Sequence, residues 1–307
     1  MGARDLGALV LLGAIWGSSF LFIGVAVPAL GPFVLMELRV GLAAAALALL
    51  AVAVSTLPKL RFRWKELLVL GAVNAAIPFS LIAASEINLT ASLAAILNAA
   101  TALFAAVVAA VWMGEALTKG KVAGLVMGII GVAVLVGWTP IALNGVVVVS
   151  VGASLLAAFS YALGGVYTKR AFAGTPPLAL AIGQQTGAAM LLVPLATASV
   201  PAEAPSMPVT LSALALALLC TAVAYLLYFY LISSVGPTKT LTVTFLSPVF
   251  GTLFGVLFLN EPVGVGTFVG LGIILSSVAL VTGFRFFRKD KERACRRIAG
   301  VEQGSQS

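Results

Sequence analysis

The sequence predicts an all-α polytopic membrane protein: ten transmembrane helices, arranged as two inverted five-helix repeats around a central cavity. Composition and internal repetition predict it. Of the 307 residues, 61% are hydrophobic and 9% are charged, whereas a soluble globular domain carries about 25% charged residues. The chain also repeats itself, because Glu115 and Glu261, and likewise Gly124 and Gly270, lie 146 residues apart.

The apolar stretches give the number of membrane segments. About 20 apolar residues cross the hydrocarbon core of a bilayer. Ten such stretches occur, at approximately 5–27, 32–54, 64–85, 90–112, 119–138, 145–168, 176–197, 211–234, 239–259 and 264–286. We expect a first five-helix repeat at 1–140, a second, inverted repeat at 141–286, and a basic cytoplasmic tail at 287–307. Five segments per repeat force the second copy to cross in the opposite direction, a build that is typical of many secondary transporters.

The 18 Lys and Arg residues indicate the orientation. With ten spans, every one of them falls on the same side of the membrane except Arg39, inside the second span. Cytoplasmic loops are enriched in Lys and Arg, so both termini are expected in the cytoplasm. The net charge of +8 is scattered over separate loops, which favours contact with membrane lipid over binding of nucleic acid.

Spans 4 and 9 carry matching faces of small and polar residues. Residues at positions i, i+4, i+7 and i+11 share one helix face. That face holds Thr240, Thr244, Ser247 and Gly251 in span 9, and the repeat carries it to Ala94, Asn98, Thr101 and Ala105 in span 4. Polar faces avoid lipid, so both should point inward, where they meet either a substrate or a neighbouring helix. We expect Asn98, Thr101, Thr244 and Ser247 to supply polar contacts to a substrate.

Four further spans add candidate substrate-binding residues. Tyrosines in the middle of a span need a hydrogen-bond partner, and they either line a pocket or pack between helices. The additional candidates are Trp16, Ser19, Asn74, Tyr161, Tyr225 and Tyr228.

Two prolines predict helix kinks. Pro78 and Pro248 have no amide hydrogen, so the carbonyls of Asn74 and Thr244 should lose their helical partners. A freed carbonyl either receives a substrate ammonium group or is satisfied by a neighbouring helix.

Glycines in spans 5 and 10 predict close helix packing. Small residues at four-residue spacing let membrane helices approach closely. These spans should therefore brace the two halves or form a homodimer contact. The glycines are Gly120, Gly124, Gly128, Gly266 and Gly270.

Several functions are disfavoured. No enzyme motif and no Cys/His cluster occurs, so we expect no catalytic residue, no metal and no cofactor. Acidic residues fall mostly near span ends, as at Glu86, and only Glu37 lies within a span. Arg39 and its repeat partner Gln185 are interpreted as structural hydrogen-bonding anchors rather than substrate ligands. An antiporter of cationic drugs needs a buried carboxylate, and a carrier of phosphate esters needs several basic residues within its spans. The sequence shows no buried carboxylate in span 1 and few basic residues in the spans, so a neutral or zwitterionic cargo fits better.

Short motifs add a resemblance to a known family. Trp16-Gly17-Ser18-Ser19-Phe20, Arg39, Gly114-Glu115 and Asn260-Glu261-Pro262 resemble the signatures of EamA-type exporters in the drug/metabolite transporter superfamily. The resemblance covers about residues 5–285, and the chain is also similar to the YddG-type exporters of aromatic and other neutral amino acids. The resemblance implies that spans 1, 3, 4, 6, 8 and 9 surround a cavity and that spans 5 and 10 lie outside it.

The resemblance also implies a function. We expect an exporter in the bacterial inner membrane that moves small neutral or zwitterionic metabolites, amino acids above all, by alternating access. Export of drugs or nucleotide sugars, a non-saturable pore and a scaffold without cargo are the alternatives.

Overall fold

The structure is a computed structural model that describes residues 2–54, 63–138 and 144–282. The predicted tail at 287–307, the basic residues Lys59 and Arg61, and the last residues of the tenth span lie outside these ranges. Every regular element within them is helical. The long helices are α1 (Ala3–Ala53), α2 (Trp64–Ser85), α3 (Ala91–Met113), α4 (Lys119–Gly137), α5 (Gly145–Ala171), α6 (Pro177–Thr197), α7 (Met207–Val235), α8 (Val243–Leu259) and α9 (Val265–Thr282). One short helical turn, Pro237–Thr240, precedes α8.

Helix α1 contains the first two predicted spans. Its 51 residues would reach about 75 Å at 1.5 Å per residue, more than twice the thickness of the hydrocarbon core. The backbone leaves helical geometry at Gly31, with φ 69° and ψ 165°, between Pro28 and Pro32. A residue without a Cβ tolerates this positive φ. With α1 divided at Gly31, the described helices account for the ten spans.

Two apolar cores hold the bundle together. The larger one joins α1, α2, α6 and α7 through fully buried side chains such as Leu12, Leu35 and Leu216. The second joins α3, α4, α5 and α9, with Ile96 and Ile274 at its centre. Large side chains such as Ile129 and Phe268 on α4 and α9 point outward and are exposed, as expected of helices that face lipid.

Helices α4 and α9 contact each other through glycines. A Cβ at Gly124 would lie 2.7 Å from Val281 Cγ2, and one at Gly270 would lie 2.7 Å from Leu135 Cβ. Gly128 lies against Leu103 of α3, and Gly266 lies against Trp138. By contrast, Gly120 is exposed and meets only Thr118. The glycine faces of spans 5 and 10 are therefore used within one chain.

Matching turns end α3 and α8. Gly114 and Asn260, 146 residues apart, both adopt left-handed backbone, with φ 70° and φ 51°. In each turn the next amide, that of Glu115 or Glu261, donates to a carbonyl six residues earlier, at 3.3 Å and 3.2 Å. The same local fold thus recurs at the same position of each repeat.

The two turns lie at opposite ends of one helix. Glu115 lies two residues beyond the last residue of α3, while the Glu261 carboxylate contacts the first two residues of α3, Ala91 and Ser92. The 23-residue length of α3 corresponds to roughly 33 Å, about the thickness of the hydrocarbon core. The repeats therefore run in opposite directions, and the predicted fold class is confirmed.

Candidate substrate site

A buried arginine occupies the centre of the bundle. Arg39, in the second span of α1, is only 7% exposed. Its Nε donates to Thr221 Oγ1 at 3.0 Å, and its Cζ lies 3.8 Å from the centre of the Phe79 ring. Among the described residues, no carboxylate lies within ion-pairing distance of it. A guanidinium has five N–H donors, so Arg39 retains donors for an anionic group.

A π-helical segment positions Thr221, the hydrogen-bond partner of Arg39. Residues Ala215–Val223 of α7 are wound as a π-helix. Within it, Thr221 Oγ1 donates to the Leu216 carbonyl at 2.8 Å, five residues earlier. The hydroxyl then offers its lone pairs to Arg39. Such π-helical segments often occur at functional sites.

Aromatic side chains frame the same region. Phe79 and Tyr161 meet edge to face with their ring centres 6.1 Å apart. Trp16 and Tyr228 lie 5.6 Å apart, and the Phe229 ring lies beside Tyr228 at 6.0 Å. Three of the predicted residues, Trp16, Tyr161 and Tyr228, thus form ring contacts between helices, while Phe79 and Phe229 were not among the candidates.

A chain of side-chain amides links α2, α6 and α7. Asn74 Nδ2 donates to Gln184 Oε1 at 2.8 Å, and Gln184 Nε2 donates to the Tyr225 hydroxyl at 2.7 Å. Gln184 Nε2 also lies 3.2 Å from Gln185 Oε1, whereas the buried Gln185 Nε2 has no partner in the described chain. The predicted residues Asn74 and Tyr225 therefore belong to one network, which Gln184 holds together.

The first proline is accommodated without an exposed carbonyl. Just before Pro78, residues Ala72–Ala76 form a π-helix. In a π-helix the amide of each residue bonds to the carbonyl five residues earlier. The carbonyl left without a partner by Pro78 is therefore that of Val73 rather than that of Asn74. Ser160 Oγ of α5 donates to the Val73 carbonyl at 2.7 Å. Of the two outcomes expected at Pro78, satisfaction by a neighbouring helix is the one that the contacts support.

The second proline lies inside a continuous helix. Pro248 is buried in α8, where Thr252 Oγ1 donates to its carbonyl at 2.9 Å. Before α8, at Leu241–Thr242, and within α3, at Ala99–Ala100, the backbone hydrogen bonds tighten to residues three apart. Such 3₁₀-type turns are frequent at helix ends.

The polar faces of α3 and α8 are partly exposed. Thr101 Oγ1 donates to the Asn98 carbonyl at 2.7 Å, and Thr244 Oγ1 donates to the Leu241 carbonyl at 2.8 Å. Asn98 Oδ1 is buried and has no partner among the described residues. Ser247 is half-buried, and its backbone lies close to Gly17 of α1. The predicted Ser19 is buried on α1, beside the Ser18 hydroxyl that approaches Cys220 Sγ at 3.6 Å.

Towards Glu261, α3 and α8 close on each other. A Cβ at Gly251 would lie 2.5 Å from Ala95 Cβ. Glu261 Oε2 accepts from the Ser92 amide at 3.0 Å and from Ser92 Oγ at 2.5 Å, and Oε1 accepts from the Ala91 amide at 2.5 Å. A carboxylate suits the unpaired amides and positive dipole at a helix N-terminus. We call these three hydrogen bonds the Glu261 clamp.

A buried carboxyl group lies near the Glu261 clamp. Glu86 directly follows α2, at the helix end that its sequence position suggests. It is nevertheless only 7% exposed. Both of its carboxyl oxygens lack a hydrogen-bond partner in the described chain. No sequence signal marked Glu86, because its burial depends on α1 and α8 packing over the end of α2.

A cavity of about 360 Å³ lies between the end of α2 and the start of α5, where Asn88 Nδ2 donates to Ser150 Oγ at 3.2 Å. None of the ten predicted substrate-binding residues lines it. Its lining is Ala84, Asn88, Gly145, Val146, Val149, Ser150 and Ala153.

Comparison with known proteins decides the family. The sequence profile of the EamA-like transporter family matches residues 6–137 and again residues 148–283. The chain belongs to the EamA-like transporter family. The EamA-like transporter described here is therefore a multi-pass membrane transporter and not an enzyme.

Relatives of this EamA-like transporter are known in several bacteria. It is 28% identical to the uncharacterized inner membrane transporter YedA of Escherichia coli (strain K12) over 90% of each chain. It is 26% identical to Protein PecM of Dickeya dadantii (strain 3937) over 91% of this chain and 92% of that one. The uncharacterized transporter YvbV of Bacillus subtilis (strain 168) is 32% identical over 55% of this chain and 56% of its own length, about half of that relative. A solved crystal structure shares the fold, with a TM-score of 0.66 and 20% identity over 92% of this chain and 97% of that one.

Proposed function

We propose that this EamA-like transporter exports small zwitterionic metabolites, amino acids including aromatic ones above all, across the bacterial inner membrane by alternating access. The observation that supports the substrate class most directly is the buried Arg39, which has no carboxylate partner among the described residues. An ionisable residue in the middle of a membrane protein is expensive and usually functional. A carboxylate on the substrate would supply the missing charge.

The geometry around Arg39 suits a carboxylate. A guanidinium binds a carboxylate through two parallel hydrogen bonds. Thr221 holds the Nε atom of Arg39, and the Phe79 ring covers one face of the guanidinium. This leaves the terminal nitrogens to bind the substrate, so we assign Arg39 the role of carboxylate receptor in place of the structural role inferred from sequence.

The remaining groups fit the other parts of an amino acid. The unpartnered Asn98 Oδ1 is an acceptor for an ammonium group, and the hydroxyls of Thr101, Thr244 and Ser247 keep free lone pairs. Trp16, Tyr161 and Tyr228 offer apolar walls to a side chain. Ser19, Asn74 and Tyr225 complete the proposed site, with Pro78 and Pro248 as the points at which helices change direction.

Alternating access requires two ends that open in turn. The Glu261 clamp joins α3 to the end of α8 and closes one end. The clustering of Lys and Arg supports a cytoplasmic location for both termini and the opposite side of the membrane for the clamp. The domain limits 1–140 and 141–286 remain our proposal for the two repeats. For the proposed homodimer through spans 5 and 10, α4 and α9 would use their outer faces, because their glycine faces contact each other.

Counterflow in proteoliposomes tests this function. Purified protein is reconstituted with unlabelled amino acids inside, and entry of labelled amino acids is measured. We expect saturable, stereoselective exchange that amino-acid amides, which lack the carboxylate, do not inhibit. Flux that rises linearly with concentration would indicate a pore, and exchange of cationic dyes or nucleotide sugars in place of amino acids would indicate the alternative exporters.

Substitution of two arginines, one buried and one partly exposed, sharpens the test. Arg39→Gln removes the proposed receptor, whereas Arg63→Gln removes an arginine that also stacks on an aromatic ring, at 4.4 Å from Phe172, but is partly exposed and pairs with Glu66. We expect exchange to be lost only in the first. Equal exchange in both variants would remove Arg39 from the site.

A further inference from the structure

The carboxyl group of Glu86 is buried without a hydrogen-bond donor in the described chain. It is 7% exposed, and neither oxygen accepts a hydrogen bond in the part of the chain that the structure describes. Its Oε2 faces Gly24 of α1, at 3.7 Å from the position of a Cβ there, and the Leu259 side chain covers the same spot. An ionised carboxylate in such a place is unfavourable, and the group takes up a proton instead.

Two charged groups act on Glu86 from the surrounding elements. Glu261 lies in the turn after α8, and Arg39 lies on α1. Burial raises the pKa of the Glu86 carboxyl well above its ordinary value, the Glu261 carboxylate raises it further, and the Arg39 guanidinium lowers it in part. The described residues of α3 that pack here, such as Ser92, carry no charge.

Glu261 and Glu86 have unequal surroundings. Glu261 receives three hydrogen bonds from Ala91 and Ser92, and these suit a carboxylate. Glu86 receives none. Of these two acids, Glu86 is therefore the one whose surroundings favour the protonated form.

We propose that Glu86 is a proton-binding site that controls the Glu261 clamp and thereby couples transport to proton movement. While Glu86 is neutral, Glu261 stays on the N-terminus of α3 and this end of the transporter is closed. Release of the proton to water on the opposite side of the membrane leaves two carboxylates in a region with little water, and their repulsion is relieved when the Glu261 turn moves away from α3. Uptake of a proton from the side to which this end opens restores the closed state.

A small gap lies next to the clamp. A gap of about 10 Å³ is lined by Thr90, Ser92, Pro262 and Thr267, among others, and such a volume is close to the size of one water. The proposal rests on the transport function through the opening of this end, but it does not depend on the substrate.

Spin-label distances test the proposal without a substrate. Ile87 and Pro262 are exposed and adjoin Glu86 and Glu261, so both are replaced by cysteine after Cys220 and Cys295 are changed to serine. In the full-length protein in lipid, the distance between the labels is measured from about pH 5 to about pH 9, above the ordinary carboxyl pKa of about 4.3. We expect a shift to longer distances as the pH rises.

Three variants decide the outcome. Glu86→Gln mimics the neutral acid and should show the short distance at every pH. Ser92→Ala removes one donor to Glu261 and should shift the opening to lower pH. Glu66→Gln, at a carboxylate whose side chain is 42% exposed, should behave like the parent protein. An opening in Glu86→Gln equal to that of the parent, or no shift in the parent, would overturn the proposal.

Infrared spectroscopy detects the protonation state of the Glu86 carboxyl group. The carbonyl band of a neutral carboxyl group should persist above the ordinary carboxyl pKa of about 4.3 in the parent protein and be weaker in Glu86→Gln. Glu37→Gln is compared in parallel, because Glu37 also has a buried, unpartnered oxygen. An unchanged band in Glu86→Gln overturns the proton assignment. Since neither measurement uses a transported molecule, failure of the amino-acid counterflow would leave both results interpretable.

Discussion

Arg39 and Thr221 are 182 residues apart in sequence, yet the Arg39 Nε donates a 3.0 Å hydrogen bond to the Thr221 hydroxyl in the buried centre of the bundle. The contact joins the first repeat to the second. It also fixes one edge of the guanidinium, so that the terminal nitrogens keep a defined direction. A fixed guanidinium loses less freedom on binding a carboxylate than a mobile one.

Changing Thr221 should therefore weaken binding rather than abolish it. Thr221→Ser keeps the hydroxyl, while Thr221→Val removes it and leaves the Arg39 Nε without its partner. A hydrogen bond to a charged group contributes about 1.5–3 kcal/mol, so we expect the KM for exchange to rise about tenfold or more in Thr221→Val alone. Counterflow kinetics measure this, and equal KM values in the two variants would contradict it.

The amide chain predicts a difference between two tyrosines. Tyr225→Phe removes the acceptor of Gln184 Nε2 and leaves a buried donor unpaired, at a cost of about 1–3 kcal/mol. The Tyr228 ring contacts Trp16 and Phe229, and its hydroxyl makes no hydrogen bond within the described chain. Thermal unfolding in detergent should show a lower Tm for Tyr225→Phe and an unchanged Tm for Tyr228→Phe. A similar fall in both would argue against the network.

The contact between α4 and α9 predicts which glycines tolerate a methyl group. Gly124→Ala places a Cβ 2.7 Å from Val281 and 2.9 Å from the Ser277 carbonyl, so the helices must move apart. Overpacking of this kind typically costs about 1–3 kcal/mol. Gly120→Ala meets only Thr118 at 4.0 Å and should leave the Tm unchanged or raise it. The prediction fails if Gly120→Ala is the more destabilised of the two.

The inverted repeat predicts opposite labelling of two turns. Glu115→Cys and Pro262→Cys place thiols at exposed positions beyond opposite ends of α3. A membrane-impermeant maleimide applied to the periplasmic side of spheroplasts should react with Pro262→Cys, while Glu115→Cys should react only after the membrane is opened. Labelling of both from one side would refute the inversion.

The buried Glu86 predicts a pH dependence of stability. Its pKa is raised in the folded protein, chiefly by burial. The stability that it contributes is therefore fully present below the ordinary carboxyl pKa of about 4.3 and is lost as the pH rises through the raised value. The Tm of the parent protein should fall over this interval, and the fall should be smaller in Glu86→Gln. An identical pH profile in the two proteins would show that Glu86 does not titrate there.

The sequence predicted the features that depend on local composition and spacing. A run of about 20 apolar residues marks a membrane segment wherever it occurs, so the ten spans follow from the chain itself. The equivalence of Glu115 and Glu261 likewise comes from counting residues. Their placement at opposite ends of α3 then follows from an odd number of crossings per repeat.

The tertiary structure decided which polar groups meet. Helical periodicity selected Asn98, Thr101 and Thr244, but the two hydroxyls bond their own backbone, which no spacing rule distinguishes from contact with a substrate. It did not select Gln184, whose partner Asn74 lies 110 residues away, and it could not pair Thr221 with Arg39, 182 residues away. Glu86 lies at the helix end that its sequence position predicts, but its burial by α1 and α8 could not be predicted. Hydrophobic length and face are properties of one segment, whereas the pairing and burial of a polar side chain depend on which other segments pack against it.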